Sequence, residues 1–146
     1  DVKHALVNAG EVGCLGKKPN GSDWTVGVQH PREPDGYVSL AELRGRSLAT
    51  SGDYETTFSA DFSKHHIFDP RTGESPSELA SVSIAAPTAI QADALSTTAM
   101  VLGSARMLSL IESLPDVDAL FVLKNGRLLR TNGFPQAEES ISRRQA

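Results

Sequence analysis

Asp93 and Thr97 stand four residues apart in Ala92-Asp93-Ala94-Leu95-Ser96-Thr97, a spacing that on a helix projects both side chains from one face. A carboxylate and a hydroxyl are hard oxygen donors. They suit Mg2+, which keeps several waters and accepts phosphate oxygens from a bound substrate. A plainer role is open for the same pair: an aspartate solvated on an alanine-rich helix, and a threonine bonded back to the carbonyl four residues before it.

A second segment, His65-His66-Ile67-Phe68-Asp69-Pro70-Arg71-Thr72-Gly73, sets two imidazoles before a rigid turn. A histidine at a strand end can act as a general base near neutral pH. Equally, one ring packs, the other meets water, and Asp69 caps the turn. No other His or Cys lies at zinc spacing from the pair. Two further segments suit close approach of a ligand to the backbone. Leu48-Ala49-Thr50-Ser51-Gly52-Asp53-Tyr54-Glu55 places hydroxyls beside Gly52, and Asn8-Ala9-Gly10-Glu11 is a turn whose glycine can admit a ligand. Each also reads as an ordinary turn. Cys14 is the one cysteine, so an intrachain disulfide and a cysteine metal cluster are excluded. It reads as a small apolar strand residue.

The elements that must position these groups follow from periodicity and turn chemistry. Ala5 to Val7 reads as a strand entering the Asn8-Ala9-Gly10 turn. Lys17 to Gly21 is a polar, hairpin-like connection. Trp24 to Gln29 alternates, with Trp24, Val26 and Val28 on one side, as a half-buried strand does. A Pro-punctuated loop follows, then a strand through Val38, Leu40 and Leu43, and a short one over Arg46 to Thr50. Phe58 to Phe62 is expected to be extended. Leu79 to Ala85 alternates Val82 and Ile84 with serines. The period then changes: Thr88 to Leu102 is helical, capped by Thr88 and ended by Gly103. Ile90, Ala94, Leu95, Thr98, Val101 and Leu102 are expected to form its apolar face. Ser104 to Ser113 gives a second helix, and Ala119 to Leu123 with Arg127 to Arg130 a hairpin whose Asn125-Gly126 favours a type I′ turn. Strands segregated from helices predict an α+β fold with a mostly antiparallel sheet and a helix pair near the C-terminal third.

The 146 residues give room for one domain with a real core, and 39% hydrophobic against 22% charged residues is ordinary for a globular chain. No domain boundary shows inside it: residues 1–134 read as one unit and 135–146 as a polar, disordered tail. The net charge of -4 and the lack of a basic stripe exclude a nucleic-acid partner. No apolar stretch approaches the roughly 20 residues of a membrane span. The chain begins at Asp1 without a signal peptide and reads as a mature, trimmed or split fragment.

In order and spacing, four pieces together resemble the FAD:protein FMN transferases, the ApbE family: Leu6-Val7-Asn8-Ala9-Gly10, Thr50 to Glu55, His66 to Gly73 and Ala92 to Thr97. The likeness runs from about Leu6 to Phe134. It implies a T-fold-like architecture and Mg2+-dependent transfer of FMN from FAD to a threonine of an acceptor flavoprotein, with AMP released. It implies Asp93, Thr97 and neighbouring Ser96 as metal ligands, His66 as the base that activates the threonine, and Ile67 as a flavin contact. Ser51, Gly52, Asn8, Gly10 and Asp69 fall in the matching pieces as further cofactor-binding positions. It also implies a periplasmic or membrane-anchored setting, and a longer protein whose N-terminal half carries other flavin contacts. Glu11 departs from the family's usual second glycine. Three classes stay open: an enzyme completed by a separate N-terminal half (FAD hydrolysis to FMN and AMP being its variant), a non-catalytic flavin- or nucleotide-binding module, and an interaction domain.

Overall fold

The computed structural model describes residues 1–137. A mostly antiparallel sheet runs in the order β1 (Ala5–Asn8), β2 (Val12–Leu15), β5 (Ser47–Gly52), β6 (Leu79–Ala86), β7 (Asp118–Leu123), β8 (Leu128–Arg130). β3 (Trp24–Gln29) and β4 (Tyr37–Leu43) form a separate antiparallel pair. The helices α1 (Ala89–Leu102) and α2 (Ser104–Ile111) follow β6. Strands, then helices, then a hairpin is the α+β order expected from the sequence.

Every residue of β6 is buried because both faces of the sheet are covered. Alternate residues of a strand point to opposite sides. Val82, Ile84 and Ala86 pack in a core with Ala92, Ala99, Met100 and Met107 of the helices and Phe121 of β7. Ala85 instead joins Leu48 and Leu120 against Val28, Ala41 and Leu43 of the β3–β4 pair. The molecule is thus layered: helices, large sheet, small sheet. Each large apolar side chain removed from water in these cores contributes about 1.5–3 kcal/mol. Ser81 and Ser83, which alternate with Val82 and Ile84, are buried too, and Ser83 Oγ bonds Thr50 Oγ1 at 2.7 Å.

Three local expectations are corrected. Phe58 to Phe62 is not extended; it is the tip of a tight turn, with Phe62 N donating to Ser59 O at 3.1 Å and Phe62 itself at φ 59. Of the expected apolar face of α1, Leu95 and Val101 do pack against the core, but Ile90 is 84% exposed and Ala94 is exposed too; the buried residues are Ala92, Ser96, Ala99 and Met100. Small side chains let the helix backbone lie close to the sheet, so proximity rather than bulk selected the face. The β7–β8 hairpin is not type I′, since Asn125 is absent from the residues at positive φ while Gly126 has φ 83. Gly126 N donates to Leu123 O, so Lys124 and Asn125 are the central pair and Gly126 supplies the left-handed residue after them. β2 gives Cys14 the strand position expected of it, partly buried against the second core, in an element whose bounds the sequence reading did not draw.

The expected cap holds: Thr88 accepts from Gln91 N, and Gly103 closes α1 at φ 81. The segment expected to be a disordered tail begins with residues paired to β4, where Glu42 N donates to Pro135 O and Ala137 N to Leu40 O, both at 2.7 Å. The rest of that tail lies outside the described residues.

Candidate metal and flavin site

α1 packs across β5 and β6 on its small-residue face, and this brings Ser51 of β5 against Ser96 and Thr97. Ser51 Oγ lies 2.8 Å from Ser96 Oγ and 3.0 Å from Thr97 Oγ1. Ser96 Oγ donates to Asp93 O at 2.9 Å. A hydroxyl has one proton, so the directions are determined. Ser96 has given its proton to the helix backbone and can only accept from Ser51. Ser51 has then given its own and can only accept from Thr97. The chain runs Thr97 to Ser51 to Ser96 to Asp93 O, which leaves the remaining lone pairs of Thr97 free for another ligand. Thr97 therefore does not bond back to the helix, unlike Thr98, whose Oγ1 donates to Ala94 O at 2.8 Å.

Asp93 is exposed one turn before Thr97, and its carboxylate has no hydrogen-bond or ion-pair partner among the described residues. An unpaired carboxylate beside an oriented hydroxyl is a fit donor set for Mg2+, which needs few protein ligands when water and phosphate complete its shell. Among the described residues, no group of three or more His, Cys, Asp or Glu is placed to hold a metal.

His65 and His66 divide as one packed and one solvated ring. His65 is fully buried, its Nε2 3.1 Å from Pro76 O, and its Nδ1 has no partner. His66 is exposed, with Nδ1 3.3 Å from Thr56 O. A carbonyl only accepts, so the neutral ring that makes this contact carries its proton on Nδ1 and presents Nε2 as a base. The next side chain, Ile67, is buried in the helix-side core and anchors the segment. Neither backbone polar group of Ile67 bonds another group among the described residues.

Asp69 closes the turn that follows. Its carboxylate accepts from Arg71 N at 2.9 Å and from the Arg71 guanidinium at 2.9 and 2.6 Å. These bonds, the side-chain ones foremost, hold its carboxyl down to about 2. Gly52 is filled by the protein itself: a Cβ there would stand 2.3 Å from the Tyr54 ring. Burial, with Glu55 and Asp53 adding to it, pushes the Tyr54 phenol above its ordinary value. Asn8 and Gly10 belong to the β1–β2 hairpin, where Asn8 Oδ1 accepts from Gly10 N at 3.2 Å, and a Cβ on Gly10 would meet nothing within 4 Å. Val12 pairs with Leu48 in antiparallel register, which projects this turn toward the Ser51 end of β5. The fold therefore joins Ser51, Ser96, Thr97 and Asp93 directly, and sets His66–Ile67, Asp69 and the Asn8–Gly10 turn on separate loops.

Sequence reasoning missed the buried Asp53. Arg32 reaches it with two bonds, 2.7 and 2.8 Å, and Lys124 Nζ lies 3.4 Å away. These residues are far apart in the chain, so no local spacing betrays them. It also missed Glu78, whose carboxylate accepts from Ser104 N and Oγ and so caps α2.

Comparison with known proteins adds ancestry to this geometry. The ApbE family model matches residues 1–121. The FAD:protein FMN transferase of Treponema pallidum is 39% identical over 115 residues, 77% of this chain and 32% of that protein. The Thermotoga maritima ApbE protein has a crystal structure similar to this one with TM-score 0.77 and 35% identity, covering 88% of this chain and 43% of that one. For the Pseudomonas stutzeri flavinyl transferase ApbE the values are 0.66 and 34%, over 88% and 41%. The chain spans roughly a third to two fifths of the length of the relatives it matches.

Proposed function

Because the chain belongs to the ApbE family, we propose that it carries the metal and histidine side of a site that moves FMN from FAD to a threonine hydroxyl of an acceptor flavoprotein, releasing AMP. The observation that carries this reading is the directed hydroxyl chain that leaves Thr97 lone pairs one helical turn from the Asp93 carboxylate, which has no partner among the described residues. Asp93 and Thr97 would hold Mg2+, with Ser96 and Ser51 orienting Thr97. Bound there, the ion would neutralise charge on the FAD pyrophosphate as a P–O bond breaks. His66 Nε2 takes the proton of the incoming hydroxyl. The new bond joins the acceptor oxygen to the FMN phosphorus. The bond from that phosphorus to the bridging oxygen breaks, and that oxygen leaves with AMP. The Ile67 backbone and the Asn8–Gly10 and Ser51–Gly52 turns are assigned to flavin contact, and Asp69 to shaping the loop beside them. By the same family reading the protein works in the periplasm or held at a membrane. No helix among the described residues is long and apolar enough to cross one.

A binding module without turnover is the second reading. Incubation with FAD, with and without Mg2+ and with an acceptor flavoprotein, separates the two by chromatography. AMP formed only with Mg2+, and slowed in His66→Ala while flavin binding persists, is the expected result. Flavin binding without AMP selects the module, and no Mg2+-dependent flavin binding removes both.

A further inference from the structure

The excursion between β5 and β6 carries His66 on a small hairpin. Its arms are tied by the Thr57–His65 bridge, by Phe58 N to Lys64 O at 2.7 Å and by His66 N to Thr56 O at 3.0 Å. At its tip Phe62 sits at φ 59, a left-handed conformation strained for a residue with a side chain. Something outside the hairpin must hold that tip. Two cations do so from opposite ends of the chain. The Arg32 guanidinium stacks on the Phe62 ring, 4.0 Å from its centroid, and Lys124 Nζ donates to Phe62 O at 2.6 Å. Both cations converge on Asp53, whose side chain is fully buried at the base of the same excursion. Asp53 N in turn donates to Ala80 O at 2.9 Å, which fixes that base to the first residues of β6.

We propose that Asp53, Arg32 and Lys124 form a clamp on Phe62 that fixes the hairpin and so aims His66. The three are positioning residues; the proposal rests on the role given to His66 above. The carboxylate keeps two cations side by side that would otherwise repel each other, and their shared grip compensates the strain at Phe62. Without the clamp the tip relaxes, and the His66 contact with Thr56 that presents Nε2 relaxes with it.

The test uses Arg32→Ala and, because loss of a charge beside a buried carboxylate can unsettle the fold, also Phe62→Leu, which keeps every charge and removes the stacked ring. Amide hydrogen exchange is followed at Phe58 and His66, with amides of β6 as the internal reference. Both variants are expected to speed exchange at the hairpin amides by on the order of tenfold while β6 is unchanged. In the Mg2+–FAD assay they are expected to lower kcat for AMP release with KM for FAD kept, and Arg32→Lys is expected to recover part of kcat. Unchanged hairpin exchange overturns the clamp. Faster hairpin exchange with undiminished kcat overturns its positioning role. If the unaltered chain releases no AMP while its hairpin responds to both variants, the function reading fails and the clamp stands.

Discussion

Removing the Ser51 hydroxyl breaks the middle of the chain that runs from Thr97 to Asp93 O. In Ser51→Ala two hydrogen bonds disappear, those of 2.8 and 3.0 Å, each worth about 0.5–1.5 kcal/mol net. Thr97 is exposed and finds water instead, so its loss falls at the low end. Ser96 is buried but keeps its bond to Asp93 O and forfeits only an accepted one. The sum is about 1–2 kcal/mol, a fall in melting temperature of roughly 3–8 °C for a chain of this size. The alanine itself fits, since Ala49 already occupies the same face of β5. Thr97→Val keeps the shape and removes the other end of the bond. Urea unfolding of the two single variants and the double variant then gives a coupling energy of about 0.5–1.5 kcal/mol. Ser51→Ala is also expected to weaken Mg2+-dependent flavin binding about five- to tenfold, because Thr97 is free to turn its proton toward the metal. Additive unfolding energies, or unchanged Mg2+-dependent binding in Ser51→Ala, would refute the directed chain.

Three other outcomes follow from the geometry. The Asp69 carboxyl is expected to titrate near 2 by NMR and to return toward its ordinary 3.8 in Arg71→Ala. Its value is depressed in the folded chain, so its contribution to stability is complete above 3.8 and is lost as pH falls through about 2. Gly52→Ala pushes a methyl into the Tyr54 ring and is expected to destabilise by about 1–3 kcal/mol, a loss relieved in a Tyr54→Ala background when both are measured by urea unfolding. Asp93→Asn, altering an exposed group without a partner among the described residues, is expected to shift unfolding by less than about 0.5 kcal/mol, so its effects on binding report the site and not the fold.

The fold was legible where one local rule acts alone. Thr88 and Gly103 bound α1 because capping is a matter of a few adjacent atoms, and β3 was readable because Trp24, Val26 and Val28 alternate against a half-solvated pair. It was less legible where packing decides. The buried face of α1 is made of two alanines, a serine and Met100, and small residues at most of its positions leave little hydrophobicity pattern to point to it; Ile90 misleads because its bulk carries no information about distance to the sheet. β6 hides Ser81 and Ser83 because both its faces are covered, which the alternation alone does not tell. Of the site, Asp93 and Thr97 could be placed on one helical face from spacing. That Ser51 reaches Ser96 and Thr97 from β5, across 45 and 46 residues of chain, is a tertiary fact. The Asp53 clamp joins Arg32, 21 residues before it, with Lys124, whose bond to Phe62 spans 62 residues, and no local spacing pointed to that convergence.

The central claim is that the Asp93–Thr97 face takes FAD through Mg2+. Flavin fluorescence during titration of FAD, in Mg2+ and then in excess chelator, with the unaltered chain and Asp93→Ala side by side, addresses it most directly. Binding that needs Mg2+ in the unaltered chain and vanishes in an Asp93→Ala chain of unchanged stability is the predicted result. Binding that survives the chelator, or that Asp93→Ala retains in full, would contradict it.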